Sequence, residues 1–215
     1  MPVPVLDPTA LRVLGALLEK QMSTPEYYPL TLNALVNACN QSSNRDPVMH
    51  LGEPAVLDAL DSLRTEQLAW EVRSTGSRTT KFEHRLRERF DLAEQEAAVL
   101  CELMLRGPQT PGELRARTQR LYAFQDLPEV EAALDCLAAG EDCLVMKLPR
   151  QPGSREARFA QLLGGSEDPR ATQPLPEMPG LEAPVQPSFR EEITALRSEL
   201  AALRAEFEAF RAQLE

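Results

Sequence analysis

The loop Asn40-Gln41-x-x-Asn44-Arg45 offers amide and guanidinium donors of the kind that bind phosphates or base edges. Cationic side chains gather elsewhere too. One group, Arg73, Arg78, Lys81, Arg85, Arg87 and Arg89, surrounds a glycine-containing turn; a second is Arg115, Arg117 and Arg120; a third is Lys147, Arg150, Arg155 and Arg158. The chemistry these imply is contact with a nucleic-acid backbone. The candidate nucleic-acid-binding residues are Asn40, Gln41, Asn44, Arg45, Arg73, Arg78, Lys81, Arg155 and Arg158. Each arginine cluster also reads as a solvated strand edge, guarded by charge against pairing. Residues 40–48, rich in Asn, Ser, Asp and Pro, also read as a turn with no ligand.

Catalytic arrangements are not found. No Ser or Cys nucleophile stands beside a histidine, and there is neither a nucleophile elbow nor a phosphate-cradling glycine loop. The expectation is a non-enzyme with no cofactor. Cys39, Cys101, Cys136 and Cys143 form no CxxC pair, and His50 and His84 lie far from any cysteine pair, so no metal site is expected.

The elements that must carry the cationic groups come in two copies. Pro54-x-Val56-x-x-Ala59-Leu60-Asp61-x-Leu63 reappears as Pro128-x-Val130-x-x-Ala133-Leu134-Asp135-x-Leu137. Gly76-Ser77-Arg78-x-x-Lys81-Phe82 is echoed by Gly153-Ser154-Arg155-x-x-Arg158-Phe159. A helix repeated with its following turn implies a duplicated unit. Ahead of the first copy, Asp7-Pro8 opens a helix with the stripe Leu11, Leu14, Leu18 and Met22, and Thr31 caps a second with Leu32, Leu35, Val36 and Cys39. Ahead of the other copy, Asp91-x-x-Glu94 and Thr110-x-x-Glu113 read as capping boxes of two helices. Hairpin strands are expected at 68–73 with 79–84, and at 144–148 with 155–159. Three helices followed by a hairpin is the order of a winged helix. The fold class is therefore mainly α (α+β): winged-helix domains at 1–90 and 91–165, a flexible Pro-rich linker at 166–188 and a coiled-coil helix at 189–215.

The last segment has an unbroken heptad seam of Phe189, Ile193, Leu196, Leu200, Leu203, Phe207, Phe210 and Leu214. A parallel pair sets Glu192, Glu199 and Glu206 against Arg197, Arg204 and Arg211, whereas an antiparallel pair matches like with like. A homodimer is expected, with Ile193, Leu196, Leu200, Leu203, Phe207, Phe210 and Leu214 at its interface. The other reading is a single amphipathic helix folded onto its own chain.

Charge limits the partners. The chain has a net charge of −10, which argues against a chain-wide basic surface though not a local one. The third helix of each unit, the usual groove reader, is acidic. Residues 53–66 carry Glu53, Asp58, Asp61 and Glu66 against Arg64, and residues 126–142 carry six acids and no base. Phosphates repel such helices, so duplex DNA is expected to meet the wings and the 40–45 loop. Acidic helices suit a protein partner with a basic surface, the competing class. Tyr27, Tyr28, Tyr122 and Phe124 are core anchors or, if exposed, partner anchors. No signal peptide or membrane span is visible, which gives a cytoplasmic location, reduced thiols and no membrane partner.

Residues 27–41 (YYPLTLNALVNACNQ) and 44–48 (NRDPV) resemble the signature of the YceH-like bacterial proteins, as do 17–21 (LLEKQ), 105–115 (LRGPQTPGELR) and 152–159 (PGSREARF). The resemblance spans roughly residues 8–163. Ser42 stands where that family usually has Lys, which removes a positive charge from the loop. The resemblance implies a tandem winged-helix fold and a bacterial cytoplasmic setting, and supplies no catalytic residue. The expected function is a non-enzymatic regulatory protein associated with DNA through its wings and the 40–45 loop. The alternative is a protein-interaction scaffold with no DNA contact.

Overall fold

Asp7 begins the first helix as a cap: its Oδ1 accepts from the backbone N–H of Thr9 at 2.7 Å and of Ala10 at 3.0 Å. This helix, α1 (Pro8–Ser23), opens the first half of a computed structural model that describes residues 3–73, 79–139, 142–150 and 156–165. The expected turns at 76–78 and 153–155, the Pro-rich linker and the heptad helix lie outside the described residues. The chain divides into two units, residues 1–173 and 174–215, and all that follows concerns the first.

After α1 come a two-residue strand β1 (Leu30–Thr31), α2 (Leu32–Cys39), α3 (Glu53–Thr65), β2 (Ala69–Val72) and β3 (Lys81–His84). A short helix α4 (Leu86–Phe90) leads to the second half: α5 (Glu94–Arg106), α6 (Pro111–Arg117), α7 (Leu127–Ala138), β4 (Val145–Lys147) and β5 (Phe159–Gln161). The fold is mainly helical with two small antiparallel sheets, ordered β1-β3-β2 and β4-β5. No helix among the described residues is long and apolar enough to cross a membrane.

The two halves repeat their packing. The α3 helix lies on α1, α2 and β2, and α7 lies on α5, α6 and β4. Val56 and Val130, at matching positions, are fully buried. Leu30 pairs with Phe82, and Gln109 forms the matching bridge to Phe159. Thr31 and Thr110 each follow that bridge and cap the next helix. The box at Thr110 is complete: the Glu113 N–H donates to Thr110 Oγ1 at 3.2 Å, and the Thr110 N–H to Glu113 Oε2 at 2.9 Å.

Two expectations need correction. Asp91 is not the cap of α5; it ends α4 in the left-handed conformation (φ 50°), and the Glu96 carboxylate reaches back to the Ala93 N–H at 2.8 Å instead. The last strand is Phe159–Gln161, not 155–159, because Phe159 takes the register position opposite Lys147 that Phe82 takes opposite Glu71.

The halves are joined through α1 and α5, whose surfaces meet over one continuous core. Gly15 permits the approach: a Cβ there would stand 2.9 Å from Leu105 Cδ2 and 3.3 Å from Met104 Cβ. Every residue from Arg12 to Glu19 is buried, so α1 is central to the molecule rather than an amphipathic surface helix. The Leu6 N–H donates to the Leu163 carbonyl at 2.6 Å, which ties the start of the described fold to its end.

Candidate functional site

The four side chains of the 40–45 loop are all engaged within the fold. Asn40 closes the loop like a strand pair, donating from Nδ2 to the Leu51 carbonyl at 2.8 Å and accepting the Leu51 N–H on Oδ1 at 2.7 Å. Arg45 is buried, at 6% exposure. Its guanidinium donates to both carboxylate oxygens of Glu19 (3.0 and 2.5 Å), to the Ala38 carbonyl (2.7 Å from Nη2, 3.2 Å from Nε), to its neighbour's carbonyl at Asn44 (2.8 Å) and to Gln41 Oε1 (3.0 Å). Asn44 holds a left-handed backbone (φ 59°) and accepts from Arg106 Nη2. The expectation that Asn40 and Arg45 present donors to phosphate is therefore corrected: a charge taken out of water needs its partners inside, and Arg45 has them.

The loop is also the seam between the halves. The Asp46 N–H donates to the Leu105 carbonyl at the end of α5 at 2.9 Å. Arg12 of α1 braces the loop from the other side, donating to the carbonyls of Cys39 (3.2 Å) and Pro47 (2.6 Å). Two fully buried carboxylates, Glu19 of α1 and Glu102 of α5, share Arg120, which contacts Glu19 closely and Glu102 at 3.2 Å. Arg106 Nε lies 3.0 Å from Glu102 Oε2, an ion contact without hydrogen-bond alignment. Burial pushes the Glu19 carboxyl up, but the hydrogen bonds and charge of Arg45, with help from Arg120, outweigh it and hold the group below its ordinary range. At Glu102 burial prevails over Arg120 and Arg106, and the carboxyl sits above its ordinary range.

The remaining basic positions scatter. Arg73 is exposed just past β2, and Lys81 is half-buried at the start of β3. Arg158 donates to the Pro108 carbonyl at 2.8 Å and to Glu113 at 3.3 Å. Arg115 is hydrogen-bonded to the Gln125 carbonyl at 2.6 Å, and Arg117 to Gln109 Oε1 at 2.8 Å. Arg78, Arg155 and the seven dimer-interface residues from Ile193 to Leu214 lie outside the described residues. On the third helices, Glu53, Asp58 and Asp61 of α3 and Glu131 and Asp135 of α7 are exposed, with Glu66 just past the end of α3.

One feature was not anticipated from sequence. Trp70 on β2 is 45% exposed beside a cleft whose other walls are Leu60, Asp61, Arg64, Ala69, Glu71 and Phe82. The available signal was the period of two: with Ala69 turned to the core, Trp70 must face outward.

A family model described as "Protein of unknown function, DUF480" matches residues 6–154. Among similar chains named "UPF0502 protein", one from Opitutus terrae is 53% identical over 197 residues, 91% of this chain and 85% of that one. Another from Citrifermentans bemidjiense is 58% identical over 163 residues, 76% of this chain and 75% of its own length. A third from Pelobacter propionicus is 50% identical over 207 residues, covering 90% and 94% respectively. With the match covering residues 6–154, from just before α1 to beyond β4, the chain belongs to the DUF480 family of bacterial proteins.

Proposed function

We propose that this protein is a non-enzymatic interaction scaffold of the bacterial cytoplasm, built on two winged-helix units locked together, that meets a protein partner rather than DNA. The helix–strand–helix–helix–strand–strand order of residues 8–84, matched by residues 94–161, supports the winged-helix reading and agrees with the YceH-like resemblance. The heptad seam of 189–215, with Glu facing Arg only in a parallel pair, supports a homodimeric stalk. The observation that carries the choice of partner is the fate of the 40–45 loop: Arg45 and Asn40 donate inside the fold, while the third helices turn acids outward. Phosphates have little to bind on such a surface, and a basic protein surface has much. Fluorescence anisotropy of a labelled duplex titrated with the full chain tests this. The scaffold reading expects no saturable rise at low salt; saturable binding that weakens steeply as salt is added restores the DNA reading.

A further inference from the structure

We infer that the cleft between α3 and β2, centred on Trp70, is a docking site for a protein segment with a large apolar side chain flanked by lysines or arginines. This deepens the scaffold reading and rests on it. The floor is apolar and buried: Leu60, Ala69 and Phe82. Trp70 forms one wall and remains 45% exposed. Leu57, 42% exposed, lies on the same face of α3, three and four residues before Leu60 and Asp61, and extends the apolar strip along the helix. Large apolar side chains left in water beside a recess are the usual anchors of a partner.

The rim selects the sign of that partner. Arg64 stands 3.4 Å from Asp61 and 3.9 Å from Glu71, so its single positive charge lies between two carboxylates. Glu53 and Asp58 add exposed negative charge along α3. The recess is shallow and open to solvent, far smaller than the ~300–1,000 Å³ of small-molecule sites, so a docked segment would lie across it rather than fill an enclosed cavity.

The duplication supplies an internal comparison. Strand register equates Glu71, opposite Phe82, with Lys147, opposite Phe159. Trp70 then corresponds to Met146, and the helix repeat equates Leu57 with Glu131 and Arg64 with Ala138. In the second half the Lys147 ammonium lies 5.6 Å from the centre of the Phe159 ring. The fold builds this corner without an exposed tryptophan, so Trp70 is not there to complete the packing.

Trp70 is the one tryptophan of the chain, so its emission reports the site directly in the full-length protein. The probes are three synthetic peptides of equal length, alternating Lys–Leu, Glu–Leu and Lys–Ser. A saturable blue shift is expected with Lys–Leu, and binding weaker by about tenfold or more with the other two. The Asp61→Lys/Glu71→Lys variant should lose about tenfold or more in affinity for Lys–Leu with an unchanged circular dichroism spectrum, whereas Glu131→Lys/Asp135→Lys on the exposed face of α7 should bind as before. An unmoved Trp70 with every peptide overturns the proposal, as does equal binding by the Asp61/Glu71 variant. Equal binding of Lys–Ser removes the apolar anchor and overturns it too. If these fail while duplex DNA also fails to bind, this site is wrong and the scaffold reading stands; saturable DNA binding is what removes the latter.

Discussion

Glu19 and Arg45 meet at 2.5 Å with both side chains fully withdrawn from solvent, 26 residues apart in sequence. The pair fastens the loop after α2 to the central helix. Through Arg120 and Asn44 it continues to Glu102 and Arg106 of the second half. The loop that resembled a phosphate-binding surface is thereby the fastening between the repeats.

Removing both members of that pair should cost less than the two single removals added together. Arg45→Met takes the two-pronged partner from the Glu19 carboxylate and leaves it chiefly Arg120; breaking a buried pair in this way costs about 3–5 kcal/mol, a large share of the ~5–15 kcal/mol that domains possess. Glu19→Leu/Arg45→Met should recover at least ~1 kcal/mol of the summed single losses, since the two sites are directly coupled. Urea unfolding of the two singles and the double measures the coupling. Additive losses would mean that the contact does not act as a unit.

Asn44 serves two purposes that glycine and alanine separate. Both substitutions remove the acceptor for Arg106. Only alanine also has to hold a Cβ at φ 59°, a conformation that costs an L-residue roughly 1–2 kcal/mol. Asn44→Gly should therefore be more stable than Asn44→Ala by about 1 kcal/mol, or ~2–4 °C in Tm for a chain of this size. Equal melting temperatures would show that the backbone at Asn44 is not held there.

The repeat was legible because its signal is redundant: Val56 and Val130, Thr31 and Thr110, and Phe82 and Phe159 each recur at matching places. The seam was not legible, for a physical reason. Periodicity on α1 marks one apolar stripe, and Arg12 and Glu19 fall off it, where charged residues are ordinarily solvated. The loop after α2 covers Arg12, and that loop together with Arg120 of the second half covers Glu19. Nothing local to Asn40–Arg45 reveals that Arg45 donates to a carboxylate 26 residues away, or that Asn44 accepts from a guanidinium 62 residues away. The same gap hid Trp70, whose exposure depends on how α3 meets β2.

Gly15 is where the α1–α5 approach can be tested by volume. Alanine gains about 1 kcal/mol of helix propensity over glycine, but its Cβ would press on Leu105 Cδ2 at 2.9 Å. Gly15→Ala should come out within about 1 kcal/mol of the parent, because the gain and the crowding oppose each other. Gly15→Val adds two methyl groups against buried Leu105 and Met104 without that gain and should lose at least ~2 kcal/mol. Thermal unfolding reads both. A valine variant as stable as the parent would mean that the two helices separate without penalty.

His84 gives the fold a pH dependence of known sign. It is buried on β3, its Nε2 is 2.8 Å from Gln21 Oε1, and its Nδ1 accepts the Leu86 N–H at 3.2 Å. That acceptor role fixes the neutral tautomer, with Nε2–H donating to Gln21. Burial first, then the nearby Arg87 and Arg85, lowers its pKa from 6.5 to about 4. The unfolded chain therefore takes up this proton before the folded one. Stability should be level above about pH 6.5 and fall as pH drops from there toward 4, by up to roughly 3 kcal/mol at ~1.4 kcal/mol per pKa unit. Between pH 5 and 6.5, where most carboxylates still hold their charge, urea midpoints should fall for the parent and stay flat for His84→Gln. A parent curve parallel to that of the variant across this window would mean that the imidazole is not held neutral by its surroundings.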